Sequence, residues 1–140
     1  MAAKRTRRRR KSRYKTGIHV SVKCKKPIGY RSGWERAVCL YLDSNPQVTE
    51  YFYEEVIIPY LSNTKSTKIR KYFPDFIVVF KDGTKKMIEV KRQNQVDNIR
   101  VQKKATAAIA WCARQNPPMT YEFWTDPIVL PLVKAFKDVK

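Results

Sequence analysis

The chain has 140 residues, with 30 Lys and Arg against 12 Asp and Glu, for a formal net charge of +18. That length corresponds to one domain, and that charge points to a polyanionic partner, nucleic acid ahead of an acidic membrane surface. No apolar run approaches the roughly 18 residues of a membrane span, and the N-terminus lacks the apolar stretch of a secretory signal. Cys24, Cys39 and Cys112 are few, odd in number and far apart, which argues against a disulfide framework or a zinc cluster and fits a reducing interior. His19 is the only histidine, so mechanisms needing a histidine base together with histidine ligands are excluded.

Residues 1–16 hold nine of the 30 bases and no acid, leaving 21 bases against 12 acids, a net of +9, for the rest. The segment has almost nothing apolar to bury and reads as a disordered basic arm, with 17–140 as the single folded domain. Arg7, Arg8, Arg9, Arg10 and Lys11 are its candidate phosphate contacts. "TGIHVSVKCKKPIGY" reads as an extended, poorly defined lead-in. A helix is predicted in "RSGWERAVCLYLDSNP": Ser32 and Glu35 have the spacing of a capping box, and Asn45-Pro46 ends it. "QVTEYFYEEVIIPYL" is rich in aromatic and β-branched residues and reads as one strand, bent at Pro59. "SNTKSTK" is a polar turn.

A hairpin follows, with "IRKYFPDFIVVF" and "KKMIEVK" flanking Lys81-Asp82-Gly83. A second helix is predicted from Asn98 to about Gln115, where Val101, Ala105, Ala108 and Cys112 form one apolar face. Lys103 and Lys104 on its polar side are further candidate phosphate contacts. "MTYEFWTD" reads as another strand, and Asp126-Pro127 opens a C-terminal helix that contains Pro131. The predicted order is α, β, β, β, α, β, α.

The register of the hairpin decides what its charged residues can do. A two-residue turn at Asp82-Gly83 would place Asp75 across from Val90, on the face opposite Glu89. A three-residue loop with Gly83 left-handed in a bulge places Asp75 across from Glu89, with Lys91 projecting from the same face. The other face is then Phe76, Val78, Phe80, Ile88 and Val90, an apolar surface. The second register separates charge from apolar residues better and is the one expected. Two carboxylates about 4 Å apart repel by roughly 1 kcal/mol in water and about 4 kcal/mol at an effective dielectric of 20. Lys91 offsets part of that repulsion and a divalent cation would offset more. Oxygen ligands with no histidine or thiolate nearby suit Mg2+ or Mn2+.

"FPDF", then "IEVK", resembles the signature of the PD-(D/E)XK nucleases, and "YRSGWER" ahead of them supplies the helical glutamate of many members. Within that superfamily, R-S-x-x-E, P-D-F and I-E-V-K in this order are similar to the TnsA-like nuclease subunits of heteromeric transposases. The "YRS-x-WE" opening is likewise similar to the head-completion nucleases of T-even phages. The resemblance spans about residues 30–126. It implies an α/β, restriction-endonuclease-like core, a small mixed β-sheet flanked by helices. It implies a metal-dependent endonuclease acting on double-stranded DNA, with Asp75 and Glu89 as metal ligands, Glu35 a ligand directly or through water, the Val90 carbonyl a ligand, and Lys91 the catalytic lysine. Phage portal or head proteins, or transposase proteins, are the implied partners. The host cytoplasm, or the virion itself, is the implied location.

Plainer readings stand beside these. Asp75 can be an ordinary strand-edge acid, Glu89 with Lys91 a surface ion pair, and Glu35 only the N3 residue of its capping box. A basic DNA-binding or packaging protein on a nuclease scaffold, and a Holliday-junction resolvase, are the alternative functions. For six to ten phosphate contacts, affinity for duplex DNA is expected to fall about 10³–10⁵-fold between roughly 50 and 200 mM salt. Fluorescence anisotropy over that range measures it, and a flat response would count against an electrostatic footprint.

Overall fold

Three successive residues of "FIVVF", Phe76, Ile77 and Val78, are buried. Side chains alternate between the two faces of a strand, so this run lies inside a sheet covered on both sides. The structure, a computed structural model, describes residues 15–62 and 68–139. Its centre is a four-stranded mixed sheet of β3 (Val48–Tyr53), β6 (Phe76–Phe80), β7 (Lys85–Val90) and β8 (Thr120–Trp124), in that spatial order. The pairs β3–β6 and β6–β7 are antiparallel, and β7–β8 is parallel. Two two-stranded sheets flank it, β1 (Gly17–Ser21) with β2 (Cys24–Tyr30) and β4 (Ile58–Leu61) with β5 (Ile69–Tyr72). The expected α/β class and mixed sheet are observed. The expected basic arm, with Arg7, Arg8, Arg9, Arg10 and Lys11, lies outside the described residues.

Helices α1 (Gly33–Ser44) and α3 (Asp126–Phe136) cover one face, where Val38, Leu42, Phe76, Val78, Ile88 and Val129 form the larger core. Helix α2 (Ile99–Ala113) covers the other face, with Ala108 and Cys112 against Ile77 and Met87. The Ser32 hydroxyl accepts from the Glu35 N–H at 3.2 Å and starts α1. The Asn98 side chain accepts from Arg100 and Val101 N–H and starts α2. Both helices start where the sequence predicts. Pro131 lies inside α3, where full burial of Val129 and packing on α1 outweigh the missing N–H.

The hairpin register is the one the charge pattern predicts. Phe76 pairs with Ile88, Ile77 with Met87, Val78 with Lys86 and Val79 with Lys85. Gly83 has φ +84°, its N–H donates to the Phe80 carbonyl at 3.0 Å, and the Phe80 N–H donates to Thr84 at 2.9 Å. Three expectations need correction. The lead-in is the β1–β2 hairpin, hidden because its Val22-Lys23 turn lacks the Asn-Gly chemistry that marks such turns. The strand over 47–61 is two strands, β3 and β4, and the break is at Glu54 (φ +49°) rather than Pro59, which pairs with Lys71. The strand over 69–80 is likewise two strands, interrupted at Phe73–Asp75, where Pro74 has no N–H for a ladder. Together these are one long antiparallel ribbon, kinked in both strands at the same level. His19 has a structural task. Its Nε2 lies 2.7 Å from Asp43 Oδ2, and Asp43 also accepts from the Tyr51 hydroxyl at 2.8 Å and from Ser21, tying β1 and β3 to α1.

A Cβ on Gly83 would meet nothing within 4 Å, so Gly83→Ala carries only the backbone penalty of a left-handed residue, about 1–2 kcal/mol. A urea melt is expected to show a lower midpoint with an unchanged slope.

Candidate active site

The kink in the ribbon sets the position of Asp75. Glu54, held at positive φ, donates its N–H to the Asp75 carbonyl at 3.0 Å, and this is where β3 leaves the main sheet. Asp75 thus sits just ahead of β6, with its Oδ2 accepting from the Val90 N–H at 2.8 Å. Glu89, on the neighbouring strand, lies beside it, and the Asp75 N–H approaches Glu89 Oε2 at 3.4 Å. Lys91 extends from the same face, Nζ 3.9 Å from Glu89 Oε1. Both carboxylates are buried, at 8% and 7% exposure, unlike an exposed strand-edge acid or a fully solvated ion pair.

Glu35 reaches the same place from α1. Its Oε2 accepts from the Arg31 N–H at 2.7 Å, a variant of the capping box in which the residue before the cap is the donor. Its Oε1 accepts from the Tyr53 hydroxyl at 2.7 Å. Ligand oxygens of Glu35, Glu54 and Asp75 lie within 4.8 Å of one another, so capping and facing the acidic cluster coexist in one side chain. Glu54, which is ion-paired with Arg31, was not singled out in the sequence. Its only signal there is an extra acid beside an aromatic strand, and a bend in the middle of an apparent strand has no local signature.

Tyr72, the last residue of β5, donates its hydroxyl to Glu89 Oε2 at 2.5 Å, and its oxygen lies 2.9 Å from the Tyr121 hydroxyl. Burial and the Glu89 charge push the Tyr72 phenol far up, so it stays protonated and a donor. Burial raises Asp75 well above its ordinary value, and the nearby charges of Glu89 and Glu35 raise it further. Burial also raises Glu89, against the opposing effects of the Tyr72 hydrogen bond and Lys91.

Above these groups opens a cleft of about 560 Å³, whose walls carry Arg31, Lys71, Lys91, Arg92 and Lys104. The Arg92 guanidinium stacks over Trp34, 4.5 Å from the ring centroid. Lys103 and Lys104, paired in the sequence as phosphate contacts, part company. Lys104 lines this cleft, whereas Lys103 faces a separate groove with Tyr60 and Leu61. The donors beneath the cleft are all hard oxygens crowded together, and they suit a divalent cation.

A mixed sheet whose central hairpin brings an Asp, a Glu and a Lys together, joined by a helical Glu, defines the PD-(D/E)XK class of nuclease fold. The chain belongs to the family of TnsA-like endonuclease N-terminal domains, which it matches over residues 45–124. That segment contains Asp75, Glu89 and Lys91 and begins after Glu35. The chain is also similar to the head completion nuclease of Enterobacteria phage T4, 36% identical over 70 residues. Those residues are 50% of this chain and 46% of that protein, so the chain spans about half the length of its curated relative.

For a carboxyl whose pKa is raised by folding, the stability of the protonated form is fully present below the unfolded value and is lost as pH rises through the folded value. For Asp75 and Glu89 the loss therefore sets in above their ordinary 3.8 and 4.5. Asp75→Asn keeps an oxygen for the Val90 N–H and removes the charge. In metal-free buffer at neutral pH it is expected to melt higher than wild type, and the gap should close as the pH is lowered toward 4. Equal melting temperatures at both pH values would contradict the buried charge.

Proposed function

We propose that this protein is a divalent-metal-dependent DNA endonuclease that hydrolyses phosphodiester bonds in double-stranded DNA. The observation that carries this reading is the burial of Asp75 and Glu89 side by side, with Lys91 on the same face, under a cleft walled by arginine and lysine. Mg2+ or Mn2+, held by Asp75, Glu89, the Val90 carbonyl and Glu35, would polarise the phosphodiester and lower the pKa of a water. The Val90 N–H fixes one oxygen of Asp75, and the Tyr72 hydroxyl fixes one oxygen of Glu89, so the two carboxylates keep their orientation. The Lys91 ammonium orients the attacking water and stabilises negative charge developing on the phosphoryl oxygens. Arg31, Lys71 and Arg92 contact phosphates on either side, and the basic segment ahead of the domain extends that contact along the duplex.

Similarity to a phage head completion nuclease supports a role on DNA during head completion, with portal or head proteins as partners, in the host cytoplasm or on the particle. Family membership keeps a transposase-associated role as the second setting for the same chemistry.

The test is cleavage of supercoiled plasmid by wild type beside Lys91→Ala and Asp75→Ala. Wild type is expected to nick or linearise the plasmid with Mg2+ or Mn2+ and to stop when EDTA is added. Each substitution is expected to lower the rate by about 10²-fold or more. Equal activity in all three proteins would sink the site assignment.

A further inference from the structure

Lys104 occupies a position unlike that of the other bases on α2. It borders the buried Ala105 and Ala108 on the side of the helix that meets the sheet. Lys103, about 100° around the helix, points to a different groove. The Lys104 Nζ lies 5.5 Å from the Tyr72 ring centroid and 5.9 Å from that of Tyr60, within the range in which an aromatic face attracts a cation. Ring faces hold an ammonium in place but leave its three N–H donors without directed acceptors. Among the described residues no carboxylate lies within 4.0 Å of it, while Glu89 is served by Tyr72 and Lys91. Lys104 also lines the cleft over Asp75 and Glu89. The result is a half-buried cation held over two rings, in the electrostatic reach of Glu89 but with no carboxylate in contact, facing the site where a phosphate would sit.

Tyr72 links this cation to the acidic pair. Its hydroxyl is on Glu89 and its ring lies under Lys104, so one side chain contacts both a carboxylate and an ammonium of the cleft. We infer that Lys104 is a second substrate-contacting cation of this cleft, donating to a non-bridging oxygen of the phosphodiester seated over Asp75 and Glu89, with Tyr72 as its positioning residue. Lys91, just past the end of β7, and Lys104 on α2 then both approach that phosphate, and the charge that accumulates on it during hydrolysis is met by two cations. The inference rests on the nuclease reading for its chemistry, but the phosphate contact itself does not require cleavage.

The experiment compares Lys104→Met, which keeps the length of the stem without charge, with Lys104→Arg and with Lys134→Met, a change at an exposed base on α3 outside the cleft. Melting temperatures confirm that each is folded. At saturating duplex DNA and with Mg2+, Lys104→Met is expected to cleave about 10²-fold more slowly in a single turnover, with Lys104→Arg partly restored and Lys134→Met at the wild-type rate. In EDTA, the slope of log affinity against log salt is expected to fall by about one for Lys104→Met and to be kept by Lys104→Arg. A purely structural lysine would leave that slope unchanged. A wild-type rate or a wild-type slope for Lys104→Met overturns the inference. If wild type binds DNA and cleaves none, the nuclease reading fails by itself, and the salt slope still decides whether Lys104 meets a phosphate.

Discussion

Two carboxylates buried against each other are the constraint on which the rest of this structure depends. Charge removed from water costs several kcal/mol per ion unless other groups meet it. Here a backbone N–H of Val90 meets Asp75, and a phenol, Tyr72, meets Glu89. Each of these supports requires a particular fold feature. The Val90 contact requires the three-residue bulged loop, because a register one residue different would turn Glu89 to the other face. The Tyr72 contact requires the kink at Phe73–Asp75, which swings β5 out of the main sheet while leaving its last residue over the site. Glu54, at the matching kink in β3, takes a conformation that is unfavourable for a residue with a Cβ, and its N–H anchors the Asp75 carbonyl. Local strain is thus found beside the candidate site, where the surrounding contacts hold it in place.

The supports given by the chain do not neutralise the pair. Lys91 is 3.9 Å from Glu89, too long for a strong charge-assisted hydrogen bond, and burial keeps both acids raised. Such a site has an affinity for added positive charge built into it. The larger electrostatic pattern agrees. Residues 17–140 still carry +9, and bases wall the cleft while acids form its floor. On the proposed reading, a phosphate backbone would be drawn in by the walls and a divalent cation by the floor. Asp75, Glu89 and Lys91 all lie in residues 45–124, the segment that matches the TnsA-like endonuclease family. The helical glutamate, outside that segment, is integrated by its Tyr53 and Arg31 contacts.

Much of this was legible in the chain itself. Helix starts at Ser32 and Asn98 follow from side-chain oxygens that satisfy free N–H groups, a local interaction. The hairpin register follows from Gly83, one residue that accepts positive φ, together with the need to keep acids off an apolar face. Asp75, Glu89 and Lys91 could therefore be placed on one face before any coordinates. Glu35 was visible but ambiguous, because a capping box is sufficient reason for a glutamate at that position. In the structure its Oε2 accepts from the Arg31 N–H and its Oε1 from the Tyr53 hydroxyl.

What the sequence alone determined is set by contacts between near neighbours: the helices and their caps, the bulged turn, the acidic face of the hairpin and the excess of positive charge. What only the tertiary structure decided depends on residues far apart in the chain. The kinked ribbon, the arrival of Glu54 beside Asp75 and the pinning of the β1–β2 hairpin by Asp43 are of this kind. So is the separation of Lys104 from Lys103, adjacent on one helix and facing different grooves. A strand's composition reports that it is extended and buried, but not where it bends, because the bend is fixed by hydrogen bonds to a partner strand that local pattern does not contain.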